Sequence, residues 1–426
     1  MLELPSITRS FFRTPVVLAI AVLVLTIVAL GGCNRNQTRT ATLWTDRTSL
    51  AAYAELYNAA QERYKIHVEH TPAPADALLE RQEHPDLVVG DYLANESTFE
   101  HFASIDDVLT SAELSEADFY PGLLELGRQG DETRLLPVSF NLPAVMFRDT
   151  FLNEDLDQFH VSMQHLRETG AEFNETSDDR YVRMGFSPRW DGEFLYVTAM
   201  SFGANFREQG RRNAAWNHGS LNEAVDHVRQ WVEEVNGGFD AEDEFEERYL
   251  YDPPYQLLQS DRIRFAYTTA ARFYTGAERN RRGVDVRWLS RNGSIPVLED
   301  ITYIGVPREA QNAEAGRDFV RWLFSRETQE ELLRAAVHKR IEEFGIAGGF
   351  SSLVSTNHDV LPATYESLLG RIPPPSLLEF PHRVPKDWDG IKEDVIHPWL
   401  DRELTGETSA EELAGDIRSW IFQKGD

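Results

Sequence analysis

A short apolar run inside a regular alternation of strand and helix signals constrains this fold more than any other feature. Residues 85–90 read PDLVVG, and the run from Leu87 to Val89 suits a strand buried on both faces, as in a parallel sheet. Residues 41–45 (ATLWT) predict an earlier strand, and residues 50–64 have the apolar spacing of a helix. Strand, helix and strand in this rhythm predict an α/β fold.

The alternation continues along the 426 residues, which are more than one hydrophobic core usually covers, so two lobes are expected. Further strands are predicted at residues 65–70, 137–147, 262–268, 284–289 and 299–307. A helix follows in AEAGRDFVRWLFSRETQEELL, and the last helix starts near Thr408. The acidic stretch at 239–248 (FDAEDEFEER) is expected to be a solvated loop.

Cys33, the only cysteine, follows an uncharged apolar run at residues 15–30 and two glycines. Arg9 and Arg13 precede the run, and this order is typical of a secretory signal. The stretch LGGC at 30–33 resembles the bacterial lipobox, which implies a signal peptide at 1–32, acylation of Cys33 and a flexible tether at 33–40. An uncut signal anchor and a buried core thiol are the alternatives.

Acidic residues outnumber basic ones by 70 to 42, a net charge of −28, which argues against a nucleic-acid partner. The 12 histidines are scattered, so no metal site and no cofactor are expected. The chain has no G-x-S-x-G, H-E-x-x-H, P-loop or G-x-G-x-x-G motif, which disfavours an enzyme. A glycosidase-like carboxylate pair could still be present, because such a pair is defined by its separation in space.

Several segments, in order, resemble the extracellular solute-binding proteins of ABC importers, namely the sugar-binding family typified by maltose-binding protein. They are residues 41–70, HPDLVVGDYLANESTFEHFASIDDVL at 84–109, RLLPVSFNLPAVMFRDTFL at 134–152, IRFAYTTAARFYTG at 263–276, and the segments EDITYIGVP and AEAGRDFVRWLFSRETQEELL. The pair Phe147-Arg148 stands where the family usually has Tyr-Asn, and Phe273-Tyr274 stands where a tryptophan is common.

The resemblance implies two α/β lobes, each a mainly parallel sheet flanked by helices, with a ligand cleft between them. The N-terminal lobe would comprise residues 41–148 and 300–344, and the C-terminal lobe residues 149–299 and 345–426. It also implies a monomeric, lipid-anchored receptor that faces the periplasm or exterior, closes about a hinge and delivers a carbohydrate to an ABC permease. A surface enzyme acting on glycans, a receptor for an anionic solute and a structural lipoprotein are the alternatives.

Aromatic and polar residues near strand ends and in loops are the candidates for ligand binding, because sugar sites pair flat rings with a few oriented polar groups. The candidates are Trp44, Asp46, Arg47, Asp91, Tyr92, Asn141, Trp190, Arg272, Phe273, Tyr274 and Trp388. Each ring could equally belong to the core, and Asp46 could cap the next helix. Trp231, Trp322 and Trp420 lie on helical stripes and are assigned to packing.

Overall fold

The computed structural model describes residues 39–110, 114–151, 157–210, 213–276 and 282–424. The expected signal peptide, Cys33 and most of the expected tether lie outside this range. Ten strands build the two main sheets: β1 Arg39–Thr45, β2 Tyr64–His70, β3 Leu87–Asp91, β4 Leu135–Phe140, β5 Pro143–Arg148, β6 His160–Ser162, β7 Ala266–Thr269, β8 Val284–Ser290, β9 Thr302–Gly305 and β10 Phe350–Ser351.

The first sheet has six strands in the order β10-β4-β9-β3-β1-β2. Strand β1 lies parallel to both β2 and β3, with Thr45 opposite Val89. The run from Leu87 to Val89 is completely buried, as its apolar sequence predicts for a strand covered on both faces. The carboxyl ends of β1 and β3 therefore meet at one edge of this sheet, and that edge faces the second lobe.

The second sheet has four strands in the order β7-β5-β8-β6. The chain enters it directly from β4, because β5 pairs with β7 and β8 rather than with the first sheet. The crossing thus falls at residues 141–142, earlier than the expected boundary at 148. Strand β10 returns to the first sheet beside β4, although residues after 345 were expected in the second lobe. The remaining lobe boundaries stay a prediction.

The α/β class with two sheets is confirmed, but the sheets are not mainly parallel. In the first sheet β9 runs antiparallel to β3 and β4, and in the second β5 runs antiparallel to both neighbours. The physical reason is the crossing connections: strands that return from the other lobe enter each sheet in the opposite direction. Strand β1 also starts at Arg39, inside the segment expected to be tether.

Sixteen α-helices in the described ranges surround the sheets. They are α1 Ser49–Ala60, α2 Pro74–Glu80, α3 Asp106–Leu109, α4 Pro121–Leu126, α5 Met163–Phe173, α6 Gly192–Ser201, α7 His218–Val235, α8 Phe239–Tyr249, α9 Pro254–Gln259, α10 Ala270–Thr275, α11 Ala313–Leu323, α12 Arg326–Lys339, α13 Leu361–Thr364, α14 Trp388–Ile391, α15 His397–Thr405 and α16 Ala410–Lys424. A π-helical turn, Lys392–Ile396, joins α14 to α15. Helix α11 buries Ala315, Phe319 and Leu323 on one stripe, as the sequence predicts.

The acidic stretch at 239–248 forms helix α8, so the expectation of a loop there was wrong. Its Glu242 and Phe245 lie three residues apart and are buried, which gives the segment an inward face despite its charge. Arg189 neutralises part of that charge through ion pairs with Glu242 and Asp243. A count of acidic residues alone could not reveal this packing.

Two hydrophobic cores flank the sheets: the first surrounds the first sheet and extends to β5, β7 and β8, and the second packs on the second sheet alone. The tryptophans assigned to packing contribute to these cores. Trp231 is buried in the second core, Trp322 packs against Tyr57 and Phe319 of the first core, and Trp420 borders the second core. In the part of the chain that the structure describes, no helix combines the length and the apolar character that crossing a bilayer requires.

Candidate functional site between the lobes

The first lobe supplies polar side chains that directly follow β1 and β3. Asp46 and Arg47 come after β1, and Asp91 ends β3. Arg47 forms an ion pair with Asp91, and the hydroxyl of Thr302 donates a 2.7 Å hydrogen bond to the other carboxylate oxygen of Asp91. Asp46 does not cap α1, since Thr48 precedes that helix and Glu343 accepts hydrogen bonds from Thr48 and from the backbone of Ser49. The Oδ1 of Asp46 instead lies 3.8 Å from Nε of Arg47.

The second lobe supplies two ion pairs that face this edge. Asp191 accepts a hydrogen bond from the backbone of Glu193 at the start of α6 and pairs with Arg272 at 3.2 Å. Lys392, in the π-helical turn, lies 3.2 Å from a carboxylate oxygen of Glu193 and 3.5 Å from one of Asp389. The turn matters because π-helical insertions re-aim side chains and are frequent at functional sites.

Direct contacts join the two lobes at this place. The Tyr92 hydroxyl donates a 2.5 Å hydrogen bond to Asp389. Asn141, at the crossing between the sheets, donates to Asp300 at 3.3 Å and accepts from the backbone of Ala271 at 3.2 Å. Lys386 of the second lobe also pairs with Asp76 of the first. We call the resulting cluster the interlobe site: Asp46, Arg47, Asp91, Tyr92, Asn141, Asp191, Glu193, Tyr267, Arg272, Glu299, Asp300, Asp389 and Lys392.

The electrostatics of the interlobe site follow from burial and crowded carboxylates. Burial, reinforced by the charge of Asp91, raises the pKa of Asp300 to about 7. Burial also raises the pKa of Asp46. Burial alone would lower the pKa of Arg47, but the charges of Asp91 and Asp46 raise it, so its guanidinium remains charged.

In the second lobe, Glu193 and Lys392 form a buried ion pair in which both side chains are ionised at neutral pH. Burial alone would raise the pKa of Glu193, but the hydrogen bond with His397 and the charge of Lys392 lower it to about 2. Burial would likewise discharge Lys392, yet Glu193 and Glu299 raise its pKa above the ordinary lysine value. This pair is a fixed structural element, whereas Asp300 titrates close to neutral pH.

Several buried polar atoms of the interlobe site have no hydrogen-bond partner among the described residues. They include the hydroxyl of Tyr267, Oδ1 of Asp46, Oδ1 of Asp300 and Oε2 of Glu299. Nε1 of the adjoining Trp190 is likewise buried without a hydrogen-bond partner. A buried polar group without a partner costs about 1–3 kcal/mol. Nε of Arg47 is also without a hydrogen-bond partner, so six of the twenty such atoms among the described residues belong to or adjoin this site. A ligand that supplies donors and acceptors would pair with them.

Metal binding has no support from this geometry. In the described ranges, no group of three or more histidine, cysteine, aspartate or glutamate side chains is arranged to hold a metal ion. The carboxylates of the interlobe site instead face arginine, lysine, tyrosine and asparagine donors. This mixture is suited to recognising an organic ligand through directed hydrogen bonds.

Solved structures share this architecture over nearly the whole chain. The sugar-binding protein MalE from the phytopathogen Xanthomonas citri aligns with a TM-score of 0.65 at 13% identity, covering 90% of this chain and 96% of MalE. The GacH receptor of Streptomyces glaucescens, solved unliganded and with acarbose, aligns with a TM-score of 0.61 at 15% identity, covering 91% and 98%. The chain has the fold of the maltose-binding proteins. No protein-family model and no curated protein sequence matches it.

Further structures with the maltose-binding fold include the cyclic α-maltosyl-1,6-maltose binding protein from Arthrobacter globiformis. It aligns with a TM-score of 0.61 at 15% identity, covering 90% of this chain and 98% of that protein. All three neighbours are described as binding proteins or receptors. The shared fold explains why strand ends, helix starts and the crossing segment converge on one place here.

Six of the candidate residues lie in the interlobe site: Asp46, Arg47, Asp91, Tyr92, Asn141 and Arg272. Trp44 is buried beside β2, where its indole N–H donates to Glu69 at 3.1 Å and the Arg81 guanidinium lies 4.6 Å from its ring centroid. Its ring is thus engaged by neighbours of its own lobe. A ligand-binding role for all these residues stays a prediction.

The other aromatic candidates pack against further rings. Tyr274 stacks on Phe344 at 4.8 Å and shares a 3.0 Å hydrogen bond with Ser367, while Phe273 contacts Tyr274 edge to face. Trp388 is completely buried in the second core, where its indole N–H donates a 3.1 Å hydrogen bond to the hydroxyl of Tyr196. These three rings therefore lie within packed cores.

Trp190 differs from the other rings because it is only partly buried. It stacks on Phe245 at 5.7 Å, directly before Asp191 of the interlobe site. Sequence reasoning missed the residues Asp191, Glu193, Tyr267, Glu299, Asp300, Asp389 and Lys392. A signal existed for two of them, since Glu299 and Asp300 directly precede the return strand β9. Lys392 and Asp389 gave no signal, because only the fold of α14 against α6 brings them to the site.

Proposed function

We propose that this protein is an extracytoplasmic receptor that binds a carbohydrate between its two lobes and delivers it to an ABC permease. The observation that carries the proposal is the interlobe site, where unpaired buried oxygens and a tyrosine hydroxyl converge from both lobes. Sugars present many hydroxyls that both donate and accept, so they complete such a set of atoms well. Trp190, half-buried beside the site, offers an apolar face for a pyranose ring.

The fold supports the same proposal by analogy. Similar structures are described as the maltose and maltodextrin-binding domain of Bdellovibrio bacteriovorus bound to maltotriose and a Listeria monocytogenes binding protein in complex with cycloalternan. The carboxylate excess between the lobes argues against an anionic solute, because each arginine and lysine there already faces a carboxylate. A receptor of this kind needs no catalytic group.

Hinge closure would couple binding to delivery. The crossing at residues 141–142 and the return into β9 connect the lobes, and contacts such as Tyr92 to Asp389 hold them together. A ligand that touches both lobes favours the closed arrangement only by its extra affinity for that arrangement. The permease would then recognise the closed form. Acylation of Cys33 would keep the receptor at the membrane, because two acyl chains anchor stably.

A thermal-shift screen with mono- and oligosaccharides, amino acids and polyamines tests the proposal. A ligand that binds only the folded protein adds about 2.7 kcal/mol of stability at 100 times its Kd, so a carbohydrate of the correct class should raise Tm by several degrees. The variant Asp46→Asn should lose this shift. Glu330→Gln, which removes one ion pair on the surface of α12, is the matched control and should keep it. A shift with amino acids and none with any carbohydrate would contradict the proposal.

The lipid anchor has a separate test. Cys33→Ser should leave the protein without labelled palmitate. Palmitate labelling that persists in the variant would show that the anchor lies elsewhere. The ligand-binding experiment is unaffected by either outcome.

A further inference from the structure

The interlobe site holds more negative charge than its cations can balance. Its seven carboxylates are Asp46, Asp91, Asp191, Glu193, Glu299, Asp300 and Asp389, and its three side chains that are cationic at neutral pH are Arg47, Arg272 and Lys392. Each cation is already within ion-pair distance of at least one carboxylate. The balance is therefore negative at the place where the proposed ligand binds.

Two of the carboxylates, Glu299 and Asp300, form no ion pair among the described residues. Glu299 is 5% exposed and accepts one hydrogen bond from Tyr196, while its second oxygen has no partner in the described part of the chain. Asp300 accepts from Asn141 through one oxygen, and its other oxygen is also without a partner there. Buried carboxylate oxygens are normally paired, and these two atoms are buried without a donor from the described residues.

The hydroxyl of Tyr267, an uncharged group close to these carboxylates, supports the same conclusion. Tyr267 is 7% exposed, its hydroxyl has no partner in the described ranges, and the charges of Glu193, Asp191, Arg272 and Asp300 all act on it. A tyrosine hydroxyl can accept from an ammonium group while it donates to a carboxylate or a sugar oxygen. This observation is independent of the number of acidic residues, and it too indicates a missing ligand group.

We propose that the ligand is a carbohydrate that carries a protonated amine, and that the ammonium group lies against Asp300. The inference rests on the proposed function and narrows its ligand class. An ammonium has three donors and no acceptor, so it can donate to the free oxygen of Asp300 and to the Tyr267 hydroxyl while it reduces the excess negative charge. A neutral hydroxyl would supply one donor and leave the charge in place.

The groups facing Asp300 allow a pH test of the same inference. Asp91 and Arg47 face it from the first lobe, Lys392 and Asp389 from the second, and Asn141 from the crossing segment. Since the pKa of Asp300 is about 7, its carboxyl is mostly neutral at pH 6 and mostly ionised at pH 8. Affinity for a ligand ammonium that remains protonated should therefore rise by up to about tenfold between these pH values.

The experiment compares matched sugars by calorimetry with the full-length protein. One set contains β-1,4-linked glucosamine oligosaccharides, their N-acetylated forms and cello-oligosaccharides, which differ at carbon 2 of each ring. A second pair is 6-amino-6-deoxymaltose, whose primary alkylamine remains largely protonated from pH 6 to pH 8, and maltose, which has no amine. The amine-bearing member of at least one set should bind about tenfold or more tightly than its neutral counterparts. Asp300→Asn should remove this preference, and Glu330→Gln should retain it.

The outcomes separate the inference from the function on which it rests. Equal or tighter binding of the neutral sugars overturns the amine inference and leaves the carbohydrate receptor intact. Binding of spermidine without binding of any sugar overturns the proposed function while retaining recognition of a cation. If no sugar of either set binds and spermidine does not bind, both proposals are overturned.

Discussion

Two clusters border the segments that connect the lobes, and they are built in opposite ways. In the aromatic cluster, formed by Phe273, Tyr274, Phe344, Phe350 and Tyr365, neighbouring rings lie 4.8–5.2 Å apart and are mostly buried. In the interlobe site, carboxylates crowd together and several polar atoms have no partner among the described residues. The first cluster is complete without a ligand, whereas the second is not.

The difference teaches how a packing cluster and a binding site can be told apart. Buried rings gain from apolar burial and from ring contacts worth about 0.5–1.5 kcal/mol each, so the aromatic cluster stabilises the fold. Unpaired buried oxygens cost free energy, and a protein retains them where function requires them. Aromatic content at a strand end is therefore weaker evidence of a ligand site than unsatisfied polar atoms.

The largest expected effect is on the aromatic side of this comparison. Tyr274→Ala should lower the free energy of unfolding by about 3–5 kcal/mol, because it removes a buried ring stacked on Phe344 and leaves a cavity. Denaturant unfolding followed by fluorescence or circular dichroism measures the change. Tyr274→Phe, the matched control, keeps the ring, loses the hydrogen bond shared with Ser367 and should cost about 1 kcal/mol.

A stable Tyr274→Ala variant that no longer binds ligand would reverse the assignment. In that case the ring would be a ligand platform, as its position near the end of β7 first indicated. The stability loss should also be the same at pH 5 and pH 8, because the aromatic cluster contains no carboxyl, imidazole or amino side chain. That independence of pH distinguishes the cluster from the interlobe site.

The second effect, on the interlobe side, depends on pH. Asp300 has a folded-state pKa of about 7, raised by burial and by Asp91, against about 3.9 in an unfolded chain. The folded protein therefore holds a proton there between pH 4 and 7 that the unfolded chain releases, so the contribution of this group to stability falls as pH rises through that window. Since Asp300 is only half-buried, the loss should be on the order of 2 kcal/mol rather than the full value of the shift.

Asp300→Asn removes this dependence because an amide does not titrate. The variant should equal the wild type in stability near pH 4 and exceed it by that amount at pH 8, as measured by unfolding at both pH values. The other charges facing the position, from Asp91, Arg47, Lys392 and Asp389, remain in both proteins and largely cancel in the comparison. A difference that is constant from pH 4 to pH 8 would mean that Asp300 does not titrate near neutrality.

The sequence predicted the α/β class and the main strands well, because their signals are local. The run from Leu87 to Val89 and the stripe on α11 follow directly from burial and helical periodicity. The relative direction of strands was predicted poorly, since β5 and β9 enter their sheets after long crossings that no local pattern records. Helix α8 was missed because its acidic composition concealed the inward face of Glu242 and Phe245.

The candidate site was predicted on one side only. Asp46 and Asp91 follow strands of a parallel pair, and that position alone brings them to a common edge. Lys392, Glu193 and Tyr267 come from a helix turn, a helix start and a strand of the other lobe, so only the completed fold brings them close. The rings of Tyr274 and Trp388 were selected for their residue type, whereas their burial depends on neighbours far along the chain.

The smallest effect on stability gives the sharpest test of the comparison, because two tyrosines of the second lobe differ in one respect. The hydroxyl of Tyr196 donates to Glu299 and accepts from Trp388, whereas the hydroxyl of Tyr267 has no partner in the described ranges. Tyr196→Phe should therefore cost about 1–3 kcal/mol, since it leaves a buried carboxylate oxygen without its donor. Tyr267→Phe should leave the free energy of unfolding unchanged or raise it by less than about 1 kcal/mol. The reason is that the hydroxyl it removes makes no hydrogen bond in the described ranges.

Tyr267→Phe should lower the affinity for the ligand although it does not lower the stability of the protein. If its hydroxyl awaits a ligand, Tyr267→Phe weakens binding by about tenfold while the unfolding curve hardly moves, a combination that a packing residue does not show. Calorimetric titration of both variants with the best carbohydrate, together with denaturant unfolding, measures the two quantities. A Tyr267→Phe protein with unchanged affinity would remove this hydroxyl from the site, and the unpaired group would then be a tolerated defect of the core. Loss of stability with unchanged affinity would instead show that Tyr267 has a structural partner, and the contrast between the two clusters would then rest on the carboxylates alone.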